Sequence, residues 1–454
     1  MIHTIHRRFL LALLITSLFS VSTHAAVIEG VTGDGQTDDT AAIQAAVDRQ
    51  SGALCFDRGV YRLTKPILID LDRVGWTSLS GNGVAQFRME SPGPAFRFIG
   101  THDGTASPAS VKANVWDRQR TPMVDGIEII GADPDACGIE ADGTMQLTLT
   151  RVVVRHAKHA IHLTGRNRNV TLSECHLYEN RGVGVFMDKL NLHQINIANC
   201  HISYNAGGGV VAKDSEIRNL QIGTCDIEGN MGGPNSTPTA NVWLDSTGTS
   251  VGEVAIVGCT IQHTHDAPDS ANIRINGLSN TRPFTDELKT GNITIADNVL
   301  SDVQTNIDLK QVRGITISGN TMWKGYTANV IAKDCHQMVF SGNLYDRNPR
   351  YHYGDGGSAK LGVILEDCRD VTLSGEHFGG DADQPAVVQL RRCDAVNLNG
   401  CSFSAFSGAA ILLDTVTFSR ISNCLFTATD GNAVDIHQLG DNDALLDSNR
   451  FRKR

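Results

Sequence analysis

The sequence predicts an all-β chain wound as a parallel β-solenoid, and three observations predict it. A phrase, NVTLSECHLYENRGVGVFMDK over residues 169–189, recurs from Ile195, Leu220, Val254, Ile293, Ile315, Met338, Val371, Val396 and Ser419. Aligned on one landmark, the copies place Cys175, Cys200, Cys225, Cys259, Asn298, Asn320, Asn343, Glu376, Cys401, Cys424 and Asn449 in a series spaced 22 to 39 residues apart. A period in that range marks a stacked array. Each copy alternates apolar and polar residues with no helical period, so one repeat is one rung of three short strands. A single rung cannot bury its inward face, whereas stacked rungs bury it against each other.

Composition agrees. The chain has 454 residues, 19% of them charged and 6% aromatic, with 45 glycines. That suits a turn-rich β protein, and the repeat argues for one elongated domain over residues 26–454. A net charge of −10 gives no support for a nucleic-acid partner. Residues 1–25 read as a secretory leader. His6, Arg7 and Arg8 precede an apolar core over 9–19, and Thr23-His24-Ala25 supplies a small-x-small cleavage site. The apolar run is too short for a membrane span, so a periplasmic or secreted location is expected.

Residues 26–80 are expected to hold the N-terminal cap and first strands. Asp38 or Asp39 can cap a short helix whose Ala42, Ile43, Ala46 and Val47 form one apolar stripe, a lid over the open end of the rod. Residues 81–122 read as an irregular loop region, with Phe96 and Phe98 pointing inward, and residues 123–451 as regular rungs. The tail Arg450, Arg452, Lys453 and Arg454 reads as a solvated charge run.

The stretch GDGQTDDTAAIQAA from Gly33, followed by a Gly-rich strand and Gly59-Val60-Tyr61, resembles the N-terminal signature of the rhamnogalacturonase/epimerase-type pectate-lyase family. The resemblance covers about the first 80 mature residues. It implies a right-handed parallel β-helix and a carbohydrate-active relative, without fixing the reaction. The cluster Asp34, Asp38 and Asp39 leaves calcium as the one cofactor to consider, although cap and turn duties explain it better. Six landmark cysteines share one position, and Cys335, Cys368 and Cys393 share another, which predicts buried thiol ladders rather than bridges.

On the third strand of each rung the apolar residues must face the core, so their neighbours face out. One outward column contains Trp243, Arg274 and Asp308 and ends at Leu412 and Asp435. The other contains Asp188, Lys213, Asp245, Asn276, Lys310 and Lys333 and ends at Asp414 and His437. Around this patch fall the insertions at 231–240, 263–271, 277–291 and 345–360. Trp243 offers a stacking surface, Arg274 a bidentate carboxylate clamp and the lysines neutralisation or a base. Asp188, Asn276 and Lys333 complete the proposed sugar site, with His265, Tyr351 and His352 reaching in from loops. The loop residues His263, His265 and Asp266 also suit a general base or a metal.

Two chemistries compete for an acidic polysaccharide substrate. A lyase needs a uronate neutraliser and a base, roles open to Arg274, Lys213 and Lys310. An inverting glycoside hydrolase needs two carboxylates about 6.5 to 9.5 Å apart, and Asp245 and Asp308 lie two rungs, or roughly 9.6 Å, apart along the axis. A non-catalytic glycan-binding or surface-structural protein is the third reading, and under any of the three the acidic rod could assemble as a homotrimer. The Asn-Thr-Asp, Gly-His-Gly and Arg-Ile-Lys motifs of polygalacturonases and the Asp-Pro-His of alginate epimerases are absent.

Overall fold

The computed structural model describes residues 28–247, 249–277, 290–346, 359–360, 362–380 and 385–453. The leader at 1–25, together with Tyr351 and His352, lies outside them. Strands pair in parallel with their counterparts one rung away. Glu216–Gly223, Asp226–Glu228 and Ala240–Asp245 stack on Val251–Val257, Thr260–Gln262 and Ala271–Asn276.

The predicted phase holds along the third strands. Val210, Val242, Ile273, Ile307, Val330, Val363, Val388 and Ile411 form one register column, each fully buried. Burying each such side chain is worth about 1.5 to 3 kcal/mol. Second strands contribute an aromatic stack, Tyr345–Phe378–Phe403–Phe426, with ring centroids 4.5, 4.6 and 5.0 Å apart. Those separations repeat the spacing of paired strands. Only the last rung slips: Leu412 is level with His437 and Asp414 with Leu439, two residues from the alignment read above.

The landmark series is the first corner of every rung. The residue before each landmark takes positive φ, from Glu174 at 56° through Gly319 at 65° to Ser448 at 57°. That conformation turns the chain sharply, and Gly, Asn or Asp recurs there because it costs them little. Behind the corner the landmark side chains form an internal ladder. The Cys200 N–H donates to Cys225 Sγ at 3.5 Å, Cys259 N–H to Asn298 Oδ1 at 2.9 Å, and Asn298 Nδ2 to Asn320 Oδ1 at 3.0 Å. All eleven cysteines are free thiols, and ten of them are buried.

A second ladder went unread in the sequence: Asn180, Asn205, Asn230, Asn241, Asn272, Asn306 and Asn329, all 2% exposed or less. Its side-chain amides are linked at 2.7 to 2.9 Å. Asn230 and Asn241 flank the insertion 231–240, so the ladder closes the base of that loop with hydrogen bonds that do not depend on the loop's sequence.

At the N-terminal end, helix Thr40–Asp48 buries Ile43, Ala46 and Val47 against the first rungs. Asp38 accepts from Thr40 N–H at 3.0 Å, while Asp39 accepts from Thr32 N–H at 2.8 Å and Asp34 from Gln36 N–H at 2.8 Å. The three carboxylates thus carry turn hydrogen bonds, and Asp39, at the N-cap position, makes no side-chain bond to the helix. Ser78–Met89 and Gly93–Ile99 are paired strands, so the irregular region expected over 81–122 narrows to 100–122. Phe96 and Phe98 are fully buried, as read. Among the described residues no helix is long and apolar enough to cross a membrane.

Candidate functional site

Register brings the third-strand residues together as two outward columns. Trp243, Arg274 and Asp308 are level with one another, as are Asp245, Asn276, Lys310 and Lys333. Asp188 is level with Lys213, whose strand lies one rung before that of Trp243 and Asp245.

Facing outward is not the same as facing water. Arg274 is 8% exposed. Its Nε donates to Asp308 Oδ2 at 2.7 Å, and its second amino group donates to the Asp269 backbone oxygen at 2.8 Å and pairs with its carboxylate at 3.0 Å. The guanidinium also lies 5.8 Å from the centre of the half-buried Trp243 ring. Asp269 belongs to the inserted loop that begins at His263, so the insertion bends over the column and covers it. The bidentate clamp expected of Arg274 is therefore committed within the protein. Asp245 is similarly engaged: Oδ1 accepts from Thr247 N–H at 3.0 Å, Thr247 Oγ1 at 2.7 Å and Asn276 Nδ2 at 3.2 Å.

Asp245 and Asp308 are two rungs apart but also two residues out of level, which puts their backbones about 12 Å apart from strand and residue spacing. An inverting pair needs about 6.5 to 9.5 Å. That range refers to the carboxyl groups rather than the backbone, and the Asp308 carboxylate is held by Arg274.

What remains open to water is basic. Lys213, Lys310 and Lys333 are exposed in one column. Lys333 lies 3.4 Å from Glu366. Lys213 and Lys310 have no ion pair among the described residues.

Two features were missed. Arg97, Glu140, His162 and Asp188 run along the N-terminal part of the same face, with contacts of 2.9, 3.0 and 3.5 Å. Burial opposes charging His162, but the hydrogen bond and charge of Glu140, joined by Asp188, outweigh it and raise its pKa above the ordinary value. His159 behaves oppositely. Burial, then the neighbouring His162 and Lys158, lower its pKa to about 4, and its Nδ1 accepts the Val183 N–H at 3.1 Å. Both histidines flank Phe186, whose ring centre lies 4.9 Å from His159 and 5.5 Å from His162. Asp188 is already among the sugar-site residues expected from the sequence, and register places Glu140 and His162 on the same third strands.

The second missed feature is a concavity of about 660 Å³ on the first-strand face, lined by Thr148, Thr171, Gln194, Asn196, Gln221 and similar uncharged polar groups. A search for ionisable residues passes over such a surface.

His265 sits on the far side of the covering loop. It stacks on Tyr326 at 4.1 Å, and its Nδ1 lies 3.2 Å from Asp302 Oδ1. His263 Nδ1 donates to Asp302 Oδ2 at 2.6 Å. The buried Lys324 ammonium lies 3.9 Å from the same carboxylate. Asp302 meets burial that favours its neutral form, yet His263, Lys324 and His265 hold its pKa below the usual carboxylate value.

Comparison with known proteins identifies the architecture. One family model, described as a right-handed beta helix region, matches residues 128–261. The chain is a right-handed parallel β-helix. A second model, described as periplasmic copper-binding protein (NosD), matches residues 239–453. Each spans less than half the chain, and both begin beyond the N-terminal signature. No curated protein matches.

Among solved structures the chain is similar to tailspike protein 3 of bacteriophage CBA120, with TM-score 0.50 and 14% identity over 92% of this chain and 60% of that one. It therefore spans about 60% of that tailspike's length. The A-module of Azotobacter vinelandii mannuronan C-5 epimerase AlgE4 aligns at TM-score 0.40 and 13% identity, over 94% of this chain and 96% of the module. The Streptococcus pneumoniae surface protein and adhesin PfbA aligns at 0.47 and 13%, over 93% of this chain and 95% of that one. At these identities the likeness concerns the fold alone.

The copper named in the second description can be tested against the residues it spans. Among the described residues of 239–453, no three His, Cys, Asp or Glu ligand atoms lie within 4.8 Å of one another. The cysteines there line the core. The described residues of that segment do not assemble a ligand set for a resident copper ion.

Proposed function

We propose that the protein is exported and acts on an acidic, uronate-containing polysaccharide laid along the third-strand face, cleaving it by β-elimination. The observation that carries this reading is the exposed column of Lys213, Lys310 and Lys333 beside half-buried Trp243, on the face flanked by the inserted loops. With Arg274 committed to Asp308 and Asp269, neutralising the uronate carboxylate falls to Lys310 and Lys333, and Lys213 is the candidate base. Trp243 and Asn276 would position the sugar, and His162 and Asp188 would border it. The leader, the N-terminal resemblance and the periplasmic description of the second family support export. An acidic glycan is also the substrate class that a basic column on an otherwise acidic rod would select.

A second reading, glycan binding without cleavage, is favoured by one observation: Arg274, Asp245 and Asp308 are all satisfied within the protein. Incubation with a panel of uronate polymers separates the two. An ultraviolet-absorbing unsaturated product, lost in Lys213→Ala, supports the lyase. Retention on a uronate matrix without product supports binding alone. Neither product nor retention across the panel overturns both.

A further inference from the structure

On the second-strand face, away from the lysine column, Asp226 and Glu228 stand two residues apart on one strand and so project together. His201, one rung earlier, is level with Asp226. Its Nε2 lies 3.2 Å from Asp226 Oδ2 and 3.9 Å from Glu228 Oε1, and the three ligand atoms all lie within 4.8 Å of one another. Donors bound about 2.1 Å from a tetrahedral ion are about 3.4 Å apart, so small side-chain rotations bring the three onto one ion.

The surroundings point the same way. Glu228 Oε2 faces His263 Nε2 at 3.9 Å, and His263 gives its other nitrogen to Asp302 at 2.6 Å. A carboxylate on Nδ1 fixes the tautomer that leaves Nε2 as a lone-pair donor, the arrangement found behind metal-bound imidazoles. Tyr204 Oη donates to Glu228 Oε1 at 3.4 Å and Gln262 Nε2 to Oε2 at 3.3 Å, which holds that carboxylate in place. Two carboxylates abreast repel each other. A cation between them offsets that repulsion.

We propose that His201, Asp226 and Glu228 bind a divalent first-row transition ion, with His263 closing the site from the loop side. Imidazole nitrogen mixed with carboxylate oxygen suits zinc, nickel or copper(II) better than calcium or magnesium, which prefer all-oxygen sets. The three primary ligands precede residue 239, so they lie outside the segment matched by the copper-binding description. The proposal is independent of the glycan reading.

The test is zinc titration of the chelator-treated mature chain by calorimetry, followed by the electronic spectrum of the cobalt(II) form. One zinc per chain is expected, with an affinity at least 30-fold weaker in His201→Ala and in the isosteric Asp226→Asn. Zinc should also raise the melting temperature of the wild type and of neither variant. Both positions are partly exposed, and matching circular dichroism without metal checks that the variants fold. Absence of saturable zinc binding overturns the proposal. So does wild-type affinity in both variants, or a cobalt thiolate charge-transfer band, which would put the ion on a cysteine.

Discussion

Replacing Arg274 by alanine should destabilise the middle of the rod by about 3 kcal/mol. Its side chain is 10% exposed and reaches Asp308, itself 29% exposed, at 2.7 Å. A hydrogen bond to a charged group contributes roughly 1.5 to 3 kcal/mol when shielded from water. The pair with Asp269 counts for less, about 0 to 1 kcal/mol, because that carboxylate is 68% exposed. The cation over Trp243 adds roughly 0.5 to 1 kcal/mol. Arg274→Lys keeps the charge but cannot reach both acids with one planar fork, so about half the loss is expected.

A repeat rod opens locally, so the assay is native-state hydrogen exchange over Ala240–Asp245, Ala271–Asn276 and Val303–Lys310. At about 1.4 kcal/mol per factor of ten, exchange there should accelerate roughly 100-fold, with distant rungs unchanged. Arg274→Ala combined with Asp308→Ala should cost less than the sum of the single changes, because the two share one bond. Unchanged exchange in Arg274→Ala, or strict additivity in the cycle, would refute the claim that the guanidinium is spent inside the protein. The clamp role would then return to Arg274.

His159, with its pKa lowered from 6.5 to about 4, makes the unfolded chain the better proton acceptor in that window. Stability is therefore present above pH 6.5 and lost as pH falls toward 4, by about 3 kcal/mol, and His159→Gln should flatten that part of a pH–denaturation series. His162 has the opposite sign: its raised pKa gives stability that is full below the ordinary histidine value and lost as pH rises through the folded one. Asp188→Asn should lower its titration midpoint as followed by imidazole NMR. Burial raises the pKa of Glu376, so the folded state prefers it neutral and stability falls as pH climbs past 4.5. Glu376→Gln should remove that slope and match or exceed wild-type stability at pH 7, measured by denaturant midpoint. Lys310→Ala with Lys333→Ala should weaken retention on a uronate polymer about tenfold at low salt and little at high salt, as screening removes the contribution of exposed charges.

The architecture was legible because period and phase are properties of the sequence itself. A landmark every 22 to 39 residues and strict alternation between landmarks place Val242, Ile273 and Ile307 in one column without coordinates. Even the buried cysteines could be read, since residues at one repeat position stack side by side and cannot face one another. The slip at His437 shows the limit. A terminal rung has a neighbour on one side only, and its shorter apolar pattern admits two alignments.

The site was less legible because alternation tells which way a side chain points and not what lies over it. Lys213 and Arg274 occupy outward positions by the same rule, yet one is exposed and the other is 8% exposed. The difference is Asp269, which sits on an insertion outside the repeat and therefore outside the rule that placed the strands. The cluster around Asp302 arises in the same way: His263 and His265 come from that insertion, while Asp302 and Lys324 come from corners of later rungs. On such a rod the regular strands fix a lattice of addresses, and the inserted loops decide which addresses stay open to a ligand. The exposed lysines are the addresses that the described loops leave uncovered, which is why the functional reading rests on them rather than on the more conspicuous arginine.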